Sequence, residues 1–283
     1  MLQNELLLHP STEKIFSHIL DKPPHALIIE GATGTGVTTV AKAIARHLGS
    51  PEIVIKPKKK KDSIFVVDEI DGSIVIEDIR ALYEQTRGRL PGKIVYILDT
   101  GFKSLTLGAQ NAFLKLLEEP RDNVHFIIAT HQPEKLLPTI ISRCQTLSLA
   151  NVTNEQSLQL IDSFGETEVL RKQRLVFVGR GRPALIHKLQ KDKNLYEERV
   201  QIMSDAKILL GNNTYEKMSV IQRYKDSRTK AVMLLDDANH QLKAIVEKSH
   251  NKQLIMTIDR YLHARERIVA GGNIRLQLAS SVL

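Results

Sequence analysis

Short apolar runs alternating with stretches of three- and four-residue periodicity set the pattern of the first half of the chain. Ala26-Leu27-Ile28-Ile29, Pro51 to Ile55, Lys93 to Asp99 and His125 to Thr130 read as strands. Between them lie helix signatures. Residues 11–22 form a capped short helix with Ile15, Phe16 and Ile19 on one side, stopped by Pro23-Pro24. Thr39 to Leu48 reads as a second helix, and Glu77 to Tyr83 as a third with acidic residues in its first turn, where the helix dipole favours them. A turn at Pro91-Gly92 precedes the third strand. Leu105, Ala109, Ala112, Phe113, Leu116 and Leu117 recur at spacings of three and four, so one face of that helix is buried. Lys135 to Ile141 reads as a short helix broken by Pro138. Strands alternating with helices over residues 1–150 predict an α/β fold, a parallel sheet covered on both faces.

From about Asn151 helix follows helix. Asn154 to Phe164 and Glu166 to Val178 make one pair, followed by Gly179-Arg180-Gly181-Arg182-Pro183 and a helix through Gln190. Beyond Asn194 the helices lengthen. Leu235, Ala238, Leu242 and Ile245 form one apolar stripe, and Ile255, Ile258, Leu262 and Val269 another, each a core face or a helix–helix interface. Three domains are expected, over residues 1–150, 151–193 and 194–283.

Gly31-Ala32-Thr33-Gly34-Thr35-Gly36-Val37-Thr38 joins the first strand to its helix. Strand, glycine-rich turn and helix is the context of a phosphate-binding loop, because glycine lets backbone N–H groups crowd around an anion at a helix N-terminus. The pattern G-x-x-x-x-G-K-[ST] is met at Gly31, Gly36 and Thr38, but Val37 stands where the lysine belongs. The strand ending in Asp99 has the form of the second nucleotide-site strand, whose Asp holds Mg²⁺ in working enzymes. A Glu that polarises water follows it in hydrolysing members of this class; here Thr100 follows. Two missing groups at the decisive positions predict a site that does not turn over ATP. Thr130, at the end of the next strand, stands where a polar residue senses a γ-phosphate, though a strand-end Thr is also commonplace.

Composition narrows the setting. No apolar run approaches the length of a membrane span, and Met1 to Pro10 shows no secretory signal. The single cysteine, Cys144, excludes an internal disulfide framework and a Cys-based zinc site, so a cytoplasmic protein is expected. Lys and Arg number 40 against 32 Asp and Glu. Residues 1–150 hold 18 against 17, which leaves 22 against 15 in the second part, a balance compatible with nucleic acid or an acidic partner. The run Lys56-Pro57-Lys58-Lys59-Lys60-Lys61 reads as a solvated loop between strands, with a DNA-contacting tip as the sharper alternative.

Residues 74–146 resemble the bacterial clamp-loader subunits of the AAA+ superfamily. Ile76 to Arg80, Lys93 to Asp99, Asn111 to Pro120, Ile128-Ala129-Thr130, Pro133 to Ile140 and Ser142-Arg143-Cys144-Gln145 carry the resemblance. The ending, Ala264 to Arg267 and Gly272 to Leu278, is similar to the closing helix of the non-motor subunits. The resemblance implies an AAA+ α/β domain, a small helical lid and a C-terminal helical collar within a hetero-oligomeric ring that opens a sliding clamp and places it on primed DNA. Arg143 would then be a trans-acting arginine finger in the ATP site of a neighbouring tau/gamma-type motor subunit; standing alone it would read as a surface ion pair. Ser142 and Cys144 would shape and pack its turn. Val37 and Thr100 favour the non-hydrolysing branch, in which Gly31, Gly34, Gly36, Thr38, Asp99 and Thr130 line a degenerate site with no cofactor of its own. Arg182 is a candidate for the second sensing motif, although Pro183 stands where an arginine often lies. Many relatives carry a four-cysteine zinc module after the first helix, which this chain replaces by a short strand and the lysine run, so no zinc is expected. Two other readings remain: an ATP-hydrolysing motor subunit with an unusual loop, and a DNA-binding regulator that uses Lys58–Lys61.

Overall fold

The computed structural model describes residues 6–61, 64–68, 72–88, 92–100, 104–249 and 252–282. The first residues of the Met1 to Pro10 stretch, and Pro91 of the expected turn, lie outside them. The chain divides into two compact units, Met1–Lys188 and Leu189–Leu283.

The first unit contains α1 (Pro10–Asp21), β1 (Ala26–Gly31), α2 (Val37–His47), β2 (Glu52–Ile55), β3 (Lys58–Lys61), β4 (Ile64–Val67), α3 (Ile76–Gln85) and β5 (Ile94–Asp99). It continues through α4 (Leu107–Glu118), β6 (Val124–Thr130), α5 (Pro138–Ile141), β7 (Gln145–Leu149), α6 (Asn154–Ser163) and α7 (Val169–Gly179). The next helix, α8 (Pro183–Lys191), begins in this unit. Among the described residues, five strands form a sheet in the order β2-β5-β6-β1-β7, with every pairing parallel.

Side chains alternate along a strand, so strands apolar at every position need cover on both faces. Leu27, Ile29, Val95, Ile97, Ile127 and Ala129 meet Phe16 and Ile19 of α1 and Val40, Ala41 and Ile44 of α2. Their neighbours Ile28, Tyr96, Leu98, Phe126 and Ile128 meet Ile79 and Leu82 of α3 and Phe113 and Leu116 of α4. Phe126 sits at the centre of that second layer. Its ring stacks on Tyr96 at 5.9 Å and takes the edge of Phe113 at 5.3 Å.

Three local expectations are corrected. The buried face of α1 is Thr12, Phe16 and Ile19, with Ile15 exposed. Thr12 earns its place by hydrogen bonding, donating to Ser148 O at 3.2 Å and accepting from Ala150 N at 3.1 Å. Pro138 starts α5 instead of breaking a helix, as its fixed φ and missing N–H allow at a first position; a single 3-10 turn at Pro133–Lys135 precedes it. The lysine run is no loop. Lys58 to Lys61 form β3, paired antiparallel with β4 in a hairpin of its own.

The second unit is helical: α9 (Lys193–Leu209), α10 (Thr214–Tyr224), α11 (Arg228–Ser249), α12 (Lys252–Val269) and α13 (Ile274–Val282). Ile202, Leu209, Val220, Leu235, Ala238, Leu242, Tyr261, Ile268 and Leu278 fill its core. Arg199 of α9 pairs with Asp237 of α11 at 3.1 Å inside it. The apolar stripe expected on α12 splits in two. Ile258, Tyr261, Ala264 and Ile268, spaced by three and four, face the core, whereas Ile255, Leu262 and Val269, seven apart, are exposed. Ile245 of α11 likewise lies outside its helix's buried stripe.

Phe113→Ala removes the ring between α4 and Phe126, and is expected to cost about 3–5 kcal/mol of unfolding free energy. Denaturant titration measures it; a change under about 1 kcal/mol would mean that the layer closes over the gap.

Candidate nucleotide site and its rim

The glycine loop leaves β1 at Gly31 and enters α2 at Val37. Gly34 (φ 94°) and Gly36 (φ 96°) hold left-handed conformations that a side chain would strain, and Gly36 is the N-cap of α2. Thr35 closes the turn through N–H and hydroxyl bonds to Ala32 O at 3.0 and 2.9 Å. Val37 is 2% exposed, its side chain packed into the layer between the sheet and helices α1 and α2. The Thr38 hydroxyl donates to Asp99 Oδ2 at 3.0 Å. Thr130 ends β6, the strand that separates β1 from β5; it is fully buried and its hydroxyl accepts from Gln132 N–H at 3.1 Å. Thr100 is also fully buried, donating through N–H and hydroxyl to Ala129 O at 3.0 and 3.3 Å. It thus joins β5 to β6 at their ends. Gly31, Gly34, Gly36, Thr38, Asp99 and Thr130 therefore share one crevice beyond the carboxyl ends of the strands, the usual ligand position of an open α/β sheet.

The start of α8 is latched onto the loop. Leu185 N–H donates to Gly34 O at 3.1 Å, and a Cβ added at Gly34 would lie 2.8 Å from Leu185 Cβ. Arg182 donates from Nε to Gly179 O at 3.0 Å, and its other nitrogens reach Val178 O at 3.3 Å and Thr33 O at 3.4 Å. Its guanidinium thereby joins the carbonyl end of α7 to the loop. Behind it, Val152 N–H donates to Gly181 O at 2.7 Å; a Cβ on Gly181 (φ 65°) would come within 2.2 Å of Val152 O.

Ser142-Arg143-Cys144 lies elsewhere. It precedes β7, whose first residue Gln145 pairs with Leu27 at the start of β1, whereas Gly31 pairs with Leu149 at the far end. At about 3.3 Å per residue, four steps of strand put Arg143 roughly 13 Å or more along the sheet from the loop. Arg143 is held by Thr139 O at 3.1 Å and by Glu118 Oε1, the last residue of α4, at 2.8 Å. Its side chain keeps 38% of its surface exposed. Ser142 Oγ donates to the same Thr139 carbonyl at 3.2 Å. Cys144 packs, half-buried, against the layer around Phe126, and burial pushes its thiol up to about 11. Sequence reasoning missed the roles of Glu118 and Leu185. Glu118 stands inside the block that carried the resemblance, yet nothing in its spacing names Arg143 as its partner.

Among the described residues no group of three or more His, Cys, Asp or Glu side chains is placed to hold a metal ion. No helix there is long and apolar enough to cross a membrane.

The family model described as DNA polymerase III, delta subunit, matches residues 9–153, just over half of the chain. The chain belongs to this family. It is thus a clamp-loader-type subunit of the AAA+ superfamily. DNA polymerase III subunit tau of Bacillus subtilis is 33% identical over 184 residues, 60% of this chain and 30% of that protein. Subunit delta' of the same organism is 34% identical over 154 residues, 50% of this chain and 45% of that one. Subunit delta' of Haemophilus influenzae is 28% identical over 57% of this chain and 53% of its own length. The chain thus spans about a third to a half of these relatives. In fold it is similar to a DNA polymerase III gamma subunit-related protein of Thermotoga maritima, with TM-score 0.53 and 17% identity over 96% of this chain and 97% of that one. The RuvB branch-migration motor of the same organism superposes with TM-score 0.50 over 86% of this chain and 78% of its own.

The Cys144 thiol is expected to stay protonated at neutral pH, because burial penalises the thiolate. Reaction with an aromatic disulfide reagent should rise steeply only as pH approaches about 11. The unfolded chain loses this proton first, near 9.0, so the group favours the fold below that pH and the contribution fades as pH climbs through about 11. Full reaction at pH 8 would contradict the packing.

Proposed function

We propose that this chain is a non-hydrolysing, delta-prime-like subunit of the DNA polymerase III clamp loader, supplying Arg143 in trans to the ATP site of a neighbouring motor subunit. One observation carries the reading. Arg143 stands at the end of the sheet opposite its own glycine loop, so its guanidinium cannot serve the chain's own nucleotide, yet it remains accessible at the rim. An arginine suits a neighbour's triphosphate because it stays charged and offers a planar fork of donors. The Glu118 pair and the Thr139 carbonyl hold its guanidinium until a phosphate replaces the carboxylate.

The chain's own crevice supports the same division of labour. Val37 lies in the core and brings no ammonium to an outer phosphate; Thr100 bonds β6 and polarises no water. Leu185 and Arg182 engage the loop carbonyls of Gly34 and Thr33, which ties the start of α8 to the loop. What the site retains, Thr38 and Asp99, is the pair that would hold Mg²⁺, here bonded to each other. The match to subunit tau keeps a second reading, a motor with an unusual loop. Measured nucleotide affinity separates the two, since the delta-prime-like reading expects little or none.

The partners are the motor and delta subunits of the ring, and through them a sliding clamp and primed DNA. For the second unit, Ile255, Leu262 and Val269 form an exposed apolar line along α12, which is the face given to neighbours in the collar. Residues seven apart fall on one side of a helix over successive pairs of turns, as a helix–helix seam requires.

Arg143→Ala should leave ring assembly intact and lower DNA-stimulated ATPase of the reconstituted loader, towards the roughly 10³–10⁵-fold seen for arginine fingers but diluted by the remaining sites. Unchanged ATPase and clamp loading would remove the trans role. Leu262→Glu with Val269→Glu should leave the isolated chain folded by circular dichroism but abolish its co-elution with the other subunits. Normal co-elution would move the interface off α12.

A further inference from the structure

We infer that the groove between α3 and α4 is a docking site for a short acidic segment of a partner protein, one that carries carboxylates beside a large apolar side chain. The groove has a volume of about 630 Å³. Ile79 is buried beneath it, and Ile76 and Tyr83 of α3 and Ala112 of α4 line it half-buried. Arg80 of α3 and Lys115 of α4 line the same groove and are exposed, and neither pairs with a carboxylate among the described residues. Glu84, on the rim, is engaged by Arg87 at 3.2 Å. Arg80 and Lys115 are thereby left to an incoming anion.

A residue without a side chain widens the groove. Gly108 stands in the first turn of α4, outside the left-handed region, and a Cβ there would meet nothing nearer than Ile76, at 3.9 Å. Neither the backbone nor the packing requires glycine at this position, and alanine is the better helix former. The missing side chain instead opens the space beside Ile76. Leu107, Asn111 and Lys115 follow one another at four-residue intervals and so share a face of α4. Leu107 is 63% exposed and extends the apolar surface along that face. Asn111 is exposed within the groove and offers an amide to a bound main chain.

An apolar lining between two cations selects a ligand of both characters. A phosphate backbone would meet Arg80 and Lys115 but leave Ile76 and Ala112 uncovered. Single-stranded nucleic acid needs an aromatic face on which to stack. The Tyr83 ring already has the guanidiniums of Arg87 and Arg121 over it, 5.7 and 5.4 Å from its centroid. Arg121 is fixed there by donating to Thr86 O at 2.8 Å. A peptide satisfies both demands. Its apolar side chain covers Ile76, Tyr83 and Ala112, one carboxylate takes the planar fork of Arg80, and a second meets the Lys115 ammonium.

The test is fluorescence anisotropy of the chain with a panel of labelled synthetic decapeptides. Each carries one Leu or Phe flanked by Asp residues, at varied spacing, in a Gly-Ser frame. Members of the panel should bind at micromolar concentration, and replacing their Leu or Phe by Gly should abolish binding. Arg80→Ala with Lys115→Ala should weaken it at least about tenfold, the scale of lost charged hydrogen bonds. Gly108→Leu fills the groove without touching its charges, and should weaken binding as much while the thermal melt matches the parent. A control, Lys14→Ala with Lys22→Ala on α1, should bind as the parent does. The inference is overturned if no member binds, if Gly108→Leu binds like the parent, or if the α1 control loses as much. Displacement of the peptide by an equal concentration of random-sequence duplex or oligo-deoxythymidine would also overturn it, in favour of nucleic acid. Arg143→Ala should leave peptide binding unchanged, so the groove and the trans arginine are judged separately.

Discussion

Burial on both faces of the parallel sheet is the constraint from which the rest of the first unit follows. β1, β5 and β6 are apolar at successive positions, and a strand of that kind is stable only between two helical layers. Ile29 and Ile97 therefore face α1 and α2, while Ile28 and Tyr96 face α3 and α4. With helices committed to both faces, polar chemistry is confined to the two ends of the sheet. The carboxyl end collects the glycine loop, Asp99 and Thr130; the amino end, by way of α5 and β7, collects Arg143. One architectural demand thus sets the glycine loop and the Arg143 guanidinium at opposite ends of one sheet.

Much of this was legible in the chain because periodicity reports burial directly. Ala26 to Ile29 and Ile94 to Leu98 read as strands, and the glycines at 34 and 36 announced backbone that only glycine tolerates without strain. Errors arose where two stripes share one helix. Ile255, Leu262 and Val269 fit a helical repeat as well as the true core positions do, and only packing distinguishes the face turned inward. Thr12 gives no local signal of burial, because its hydroxyl is satisfied by carbonyl and amide groups 136 and 138 residues away, which no local window contains.

The lysine run failed for a different reason. Charge density argues for solvent exposure but not against strand geometry, since a hairpin satisfies its backbone by pairing while its side chains remain in water. The Arg143 site was legible in its residues and illegible in its restraint. Glu118 at 2.8 Å gives the guanidinium a resting partner, a surface ion pair of the sort worth little to stability yet able to keep a flexible side chain oriented.

The clasp between Val152 and Gly181 has an evolutionary corollary. Beside the Arg182 guanidinium, the segment from α6 to the start of α8 is seated by main-chain groups, Val152 N–H on Gly181 O and Leu185 N–H on Gly34 O, which every residue but proline can supply. Mutation of most side chains on the outer surfaces of α6 and α7 leaves that seating untouched. Those helices are therefore free to drift in sequence, acquiring or discarding surface for new neighbours, while a glycine at 181 stays compulsory.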